Sequence, residues 1–212
     1  RSIKDADEIK EMSQAVDITR QMHLAAMQHT KPGKYEYEVV AEIARECRRH
    51  HADFSYGPIF SVNGQVLHNH HHDNLMTSGR LALNDSGAHN DMLYAGDITR
   101  TFPVSGKFTT QQKEIYQGGL EMEKAGITLS GPGVYYRDVH VATNKIMLEK
   151  FVALGILKGN VDDMLEQGVN GMFMPHGLGH MIGLDVHDME DLGENLVGYE
   201  AGQERSKMLG LK

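Results

Sequence analysis

The sequence predicts an α+β chain made of two similar halves. Apolar residues recur at helical spacing in four long stretches, and short runs of β-forming residues lie between turn residues. A Pro-Gly pair also recurs at an offset of 100: Pro32-Gly33 and Pro132-Gly133, with Met22, Tyr35 and Val39 matched by Met122, Tyr135 and Val139. Each Pro-Gly joins two predicted helices, with strands expected after each pair. The repeat is either a duplicated half, with a site between the halves, or a coincidence of spacing.

The first helix is expected over about residues 6–29. Asp5 and Glu8 form a capping pair, and Ile9, Met12, Val16, Thr19, His23 and Met27 follow at helical spacing. Pro32-Gly33 ends it. A second helix, about 35–49, turns Val39, Val40, Ile43, Ala44 and Cys47 inward. Residues 53–67 read as short strands, because Phe54, Tyr56, Ile59, Phe60 and Val62 are β-formers between turns. Leu81 to Leu83 and Thr99 to Val104 read as further strands. A third helix spans about 110–126 behind Thr109 and Gln112. A fourth, about 136–152, carries Val139, Ala142, Ile146 and Phe151 inward and ends near Gly155. Gly171 to Asp188 is too rich in glycine for a helix and reads as strand and loop.

The chain has 212 residues, with 21 Lys plus Arg against 29 Asp plus Glu, a formal charge of −8. That balance argues against nucleic acid as a partner. No run of 18 apolar residues exists, so no membrane span is expected, and the charged start from Arg1 to Glu11 does not look like a signal peptide. A lone cysteine, Cys47, excludes an internal disulfide framework and fits a reducing, cytoplasmic setting. Thirteen histidines direct attention to metals, whereas thirteen methionines read as core filler.

Two segments carry the candidate chemistry. In the first, Asp85 follows an apolar strand and Asp97 precedes the next, with a turn-rich His89-Asn90-Asp91 between them. A hairpin folded about Asp91 would oppose residues whose numbers sum to 182, Asp85 and Asp97 among them. Opposed Cβ atoms lie only ~5 Å apart. Two carboxylates at that distance repel, and a cation between them removes the conflict. A β-bulge would spoil the opposition, and both residues can instead be plain turn formers. In the second segment, His176, His180 and His187 fall within twelve residues among three glycines. One neutral imidazole would complete an oxygen-rich site of the kind Mn, Co, Zn or Fe accepts, and the others can bond substrate. The alternative is three ordinary histidines in a glycine-rich loop.

The run His68 to Asp73 cannot converge on one ion as a strand, since neighbours point to opposite faces. His70 to His72 are expected to be solvated, while His68 follows the strand directly. No G-x-S-x-G and no phosphate loop occurs. Cys47 reads as buried rather than nucleophilic, and His176 and His180 lack the glutamate of a zincin helix.

Two long stretches, Tyr94 to Phe108 (YAGDITRTFPVSGKF) and Pro175 to Asp188 (PHGLGHMIGLDVHD), resemble the creatinase/methionine-aminopeptidase family of pita-bread metallopeptidases, family M24. Within it the chain is similar to the Xaa-Pro aminopeptidase (aminopeptidase P) and prolidase branch, and weaker similarity begins at Ile3-Lys4. The resemblance implies duplicated α+β halves related by a pseudo-twofold axis. It implies two divalent metal ions, manganese first with Co or Zn as options. Asp85 would bind one ion, Asp97 would bridge both, and His180 would bind the other. His68, His176 and His187 would line the substrate site. The implied reaction is hydrolysis of the bond between an N-terminal residue and a following proline, and the family implies a homodimer.

The family completes its site with two later glutamates, one in a Thr-x-Glu-Pro-Gly strand. Glu190, Glu194, Glu200 and Glu204 lack that setting. With three of five ligands present, residues 1–212 read as a catalytic domain missing its C-terminal strands and the family's N-terminal domain, and as metal-poor on their own. Prolidase, a metal-free creatinase-like C–N hydrolase and a non-catalytic peptide-binding module are the other readings.

Overall fold

A computed structural model describes residues 2–190 and 193–200. They divide into two units: Arg1–Thr109 with Met181–Met189, and Thr110–His180 with Glu190–Lys212.

The first unit opens with α1 (Ala6–His29). The Asp5 side chain accepts from the Asp7 and Glu8 amides, and Glu8 answers on the Asp5 amide, as the sequence predicts. Helix α2 is Glu36–Arg49. Between them Gly33 takes φ of +89°, which a Cβ disfavours. Five strands follow: β1 (Asp53–Phe54), β2 (Ile59–Ser61), β3 (Leu81–Ser86), β4 (Ala88–His89) and β5 (Ile98–Pro103). The order β2-β3-β5 makes one antiparallel sheet, and β1 pairs with β4. Met22, Val39, Ile43, Phe60 and Met76 form the core where the helices cover the sheet.

The buried stripe of α1 is the predicted one only at Thr19 and His23. Ala15, Thr19, Met22, His23, Ala25 and Ala26 are buried, while Ile9, Val16 and Met27 are exposed. Close approach decides this. A Cβ on Gly96 would lie 2.4 Å from Thr19 Oγ1 and 2.9 Å from the Ala15 carbonyl, so α1 must offer small residues to the sheet. On α2 the expected Val39, Ile43 and Cys47 are buried, joined by Glu36. The predicted strand region 53–67 ends early: β2 stops at Ser61, and Val66 N donates to Asn63 O in a turn through Asn63-Gly64.

The second unit repeats the helical hairpin. Helices α3 (Thr110–Leu129) and α4 (Tyr136–Ala153) flank Gly133, at φ +83°. Tyr135 sits at the N-cap of α4 as Tyr35 does for α2. The inward stripe of α4 is displaced from the predicted one: Val139 is buried, but His140, Thr143, Asn144, Met147 and Leu148 accompany it. Helix α5 (Val161–Glu166) and a 3₁₀ turn (Val169–Met172) follow. Among the described residues, Gly171 to Asp188 contains no strand, against expectation. A strand needs a ladder partner, and none of the described strands pairs with this segment.

Candidate metal centre

Strand β3 positions the first acid. Ala82, Asn84 and Ser86 are buried, and alternation turns Leu83 and Asp85 to the opposite, partly open face. Asp85 is the central-strand residue, paired with Ile59 on one side and Thr99 on the other.

The β3–β5 register corrects the predicted hairpin. Paired residues sum to 184, as in Ser86↔Ile98 and the bridge His89↔Ala95, so the turn centres on Met92 rather than Asp91. Leu93 takes φ of +65° at this apex, its amide donating to Asn90 O, and Asn90 Oδ1 caps Tyr94 N. Asp97 therefore sits diagonal to Asp85, two residues from the opposed position. A shift of two preserves the face, because the side-chain period is two. Diagonal neighbours are about 7–8 Å apart, and one group can span them.

Tyr56, between β1 and β2, spans them. Its hydroxyl lies 2.5 Å from Asp85 Oδ1 and 2.7 Å from Asp97 Oδ1. Burial, reinforced by the two acids, pushes the phenol far above its ordinary range, so it stays protonated. One O–H proton serves one acceptor, yet two carboxylates converge on it. Two carboxylates held this close to one hydroxyl also repel each other, and a positively charged partner relieves that conflict. Asp85 and Asp97 are hard oxygen donors of the type divalent ions take.

Two glycines hold the acids at this spacing. A Cβ on Gly87 would fall 1.8 Å from Gly96 O and 2.6 Å from Ser55 Oγ. Gly96 O accepts from Ser55 Oγ at 2.8 Å, and Gly96 N donates to Ala88 O at 2.8 Å. Behind the acids, buried His23 braces β3: Asn84 Nδ2 donates to its Nδ1 (3.0 Å), leaving Nε2–H to donate to Ser86 O (3.2 Å). Burial pushes the His23 imidazole below its ordinary value.

The predicted histidines occupy loops. His68 is exposed at φ +52°, well past β2 rather than directly after it. His187 is exposed in Met181–Met189, which is tied to the first unit by Ala95 N donating to Gly183 O (2.8 Å) and by the Lys4–Asp188 ion pair (2.7 Å). His176 and His180 belong to the second unit, exposed and half-buried respectively. Among the described residues no three His, Cys, Asp or Glu side chains form a ligand cluster, so the acid pair with Tyr56 is the assembled part of the site. Glu204 lies outside the described residues. His70 and His71 are exposed as expected, while His72 is half-buried with its Nε2 on Pro58 O (3.2 Å). A cavity of about 300 Å³ lined by Arg48, His51, Asp53, His89 and Asp91 includes none of the candidate residues. Cys47 is buried, and desolvation raises its thiol to about 11, in keeping with an inert role.

Tyr56 and His23 were not singled out as functional from sequence. Tyr56 read as a strand former and His23 as one member of a helical stripe. No helix among the described residues is long and apolar enough to cross a membrane.

A profile of metallopeptidase family M24 matches residues 10–208. The Xaa-Pro aminopeptidase of Haemophilus influenzae is 44% identical over 198 residues, covering 92% of this chain and 46% of the relative. The Escherichia coli Xaa-Pro aminopeptidase is 42% identical, with 92% and 45% coverage. The chain thus spans a little under half the length of these relatives. Among solved structures, an E. coli aminopeptidase P variant in complex with substrate superposes with a TM-score of 0.89 at 41% identity, covering 93% of this chain and 45% of the other. The zinc-substituted E. coli enzyme in complex with product gives the same values.

Proposed function

The chain belongs to metallopeptidase family M24 and has its pita-bread fold, and from that premise we propose that it carries part of the active site of a metal-dependent Xaa-Pro aminopeptidase. The observation that supports this best is the convergence of Asp85 and Asp97 on the single Tyr56 hydroxyl, in a chain whose relatives are named Xaa-Pro aminopeptidases. Its substrates would be peptides with proline in second position.

Asp85, Asp97 and His180 would hold two divalent ions, manganese first, with cobalt or zinc accepted by the same donors. Such ions supply Lewis-acid polarisation of the scissile carbonyl and a more acidic attacking water. Tyr56 donates its one proton to the acid pair and fixes the spacing of the carboxylates. His68, His176 and His187 bond the developing oxyanion and the proline carbonyl and pass the proton to the leaving amine. A cytoplasmic homodimer accords with this reading.

The test is hydrolysis of Arg-Pro-Pro and of Gly-Pro, with and without chelator, by the chain and by any longer polypeptide containing it. Cleavage of the tripeptide that is abolished by chelator and restored by Mn²⁺ is expected. Chelator-insensitive cleavage refutes the metal role. Cleavage confined to the dipeptide makes the enzyme a prolidase.

A further inference from the structure

We infer that Glu36 is a positioning residue for His68, acting as a clamp that closes both ends of the loop carrying it. The inference rests on the reading of His68 as a substrate-side group.

Glu36 is the first residue of α2 and is fully buried. A buried carboxylate is costly unless its oxygens are bonded, and here both are used on the same loop. One oxygen accepts from Val62 N at 2.7 Å. The other accepts from Asn74 Nδ2 at 2.9 Å and Asn74 N at 3.3 Å. Val62 and Asn74 lie symmetrically about His68, six residues to either side. No strand spans the interval, so the loop has no ladder to hold it. The Glu36 amide adds a bond to Asn74 O (3.1 Å), and Tyr37 N donates to His72 O (2.9 Å). The result is a loop whose ends are joined by one side chain, with His68 at its midpoint in sequence and in a left-handed conformation.

The clamp requires glutamate. Both points of attachment are N–H donors, and only a carboxylate offers two acceptor oxygens with no hydrogen of its own. Glutamine would set its NH₂ group against one donor, and aspartate is one methylene too short to reach both ends.

The experiment is a double-mutant cycle of Glu36→Gln and His68→Ala in the active, metal-loaded polypeptide, alongside amide exchange. Glu36→Gln should lower kcat/KM for Arg-Pro-Pro about tenfold, because small misplacements of a substrate-side group cost that much or more. Metal content should be unchanged. The Val62 or Asn74 amide should exchange at least about tenfold faster. The double variant should be no slower than His68→Ala alone. Losses that multiply in the double variant, or wild-type exchange at both amides, overturn the clamp while leaving His68's assignment standing. Wild-type kinetics in His68→Ala overturn that assignment and the positioning role with it. If Glu36→Gln does not fold, Asn74→Ala, which removes only the side-chain bond to Glu36, carries the same cycle.

Discussion

Gly87→Ala should be among the most damaging single-methyl additions in the chain. The new Cβ would lie 1.8 Å from Gly96 O and 2.6 Å from Ser55 Oγ, where ordinary contact begins at 3.4 Å. The β3 and β5 sides of the hairpin must then part by about 1.5 Å, since backbone cannot swing away as a side chain can. Three hydrogen bonds are at risk: Ser55 Oγ to Gly96 O (2.8 Å), Ser55 N to Gly87 O (3.0 Å) and Gly96 N to Ala88 O (2.8 Å). Overpacking costs about 1–3 kcal/mol, and each lost bond about 1 kcal/mol. Alanine's stiffer unfolded chain returns only about 0.4–1 kcal/mol. The steric terms win, and a net loss of about 3 kcal/mol lowers Tm by roughly 6–12 °C for a chain of this size. Gly119→Ala, on α3 with nothing within 4 Å of its Cβ, should instead raise stability by up to about 1 kcal/mol. Circular-dichroism melts of the two variants make the comparison. A Gly87→Ala melt within about 2 °C of wild type would refute the close approach that sets the acid spacing.

The other predictions concern the acids, a buried imidazole and a buried amide. Asp97→Asn should reduce bound Mn²⁺ on dialysis by at least tenfold; undiminished metal in elemental analysis would count against Asp97 as a ligand. Burial holds the folded-state pKa of His23 below its ordinary value. The unfolded chain therefore takes up the proton first, and stability should be full above about pH 6.5 and fall as pH drops below it. His23→Gln should flatten that fall between pH 7 and 5 in urea titrations, and an unchanged slope would exclude His23 as its source. Asn170 is fully buried, and neither of its side-chain polar atoms is bonded among the described residues, a state that costs about 1–3 kcal/mol per group. Asn170→Leu, close in size, should raise Tm by a few degrees, and a lower Tm would mean that the amide has a partner in solution.

Much of this was readable from the residues alone. Asp5 with Glu8 marked the start of α1, Pro32-Gly33 its end, and Leu81 and Thr99 the strand that carries Asp85 and the one that Asp97 immediately precedes. The face of α1 was read only in part, at Thr19 and His23: hydrophobic spacing favours large residues such as Ile9 and Val16, while the tight seat beside Gly96 takes Ala15 and Thr19. The hairpin register was off by two because Leu93 adopts a left-handed conformation that no residue preference announces. The parity of the strand nonetheless kept Asp85 and Asp97 on one face. Asn63-Gly64 was a legible turn signal, and reading it would have moved His68 from a strand end into a loop. Tyr56 was out of reach, since its role depends on two strands distant in sequence. Membership of family M24 followed from the Tyr94–Phe108 and Pro175–Asp188 stretches, and the family match covers both.

The Pro-Gly turns also bear on the order in which the chain acquires its shape. Each of the two helical hairpins closes over a handful of residues, so its interface forms from near neighbours with little loop entropy to overcome. The β3–β5 hairpin brings the acids together locally, but Tyr56 reaches them only when β2 pairs with β3 and β1 with β4, whose partners stand tens of residues apart. Helix and the β3–β5 hairpin should therefore accumulate early in refolding, with Tyr56 reaching the carboxylates last, so that the acids stand paired before the hydroxyl that fixes their spacing arrives.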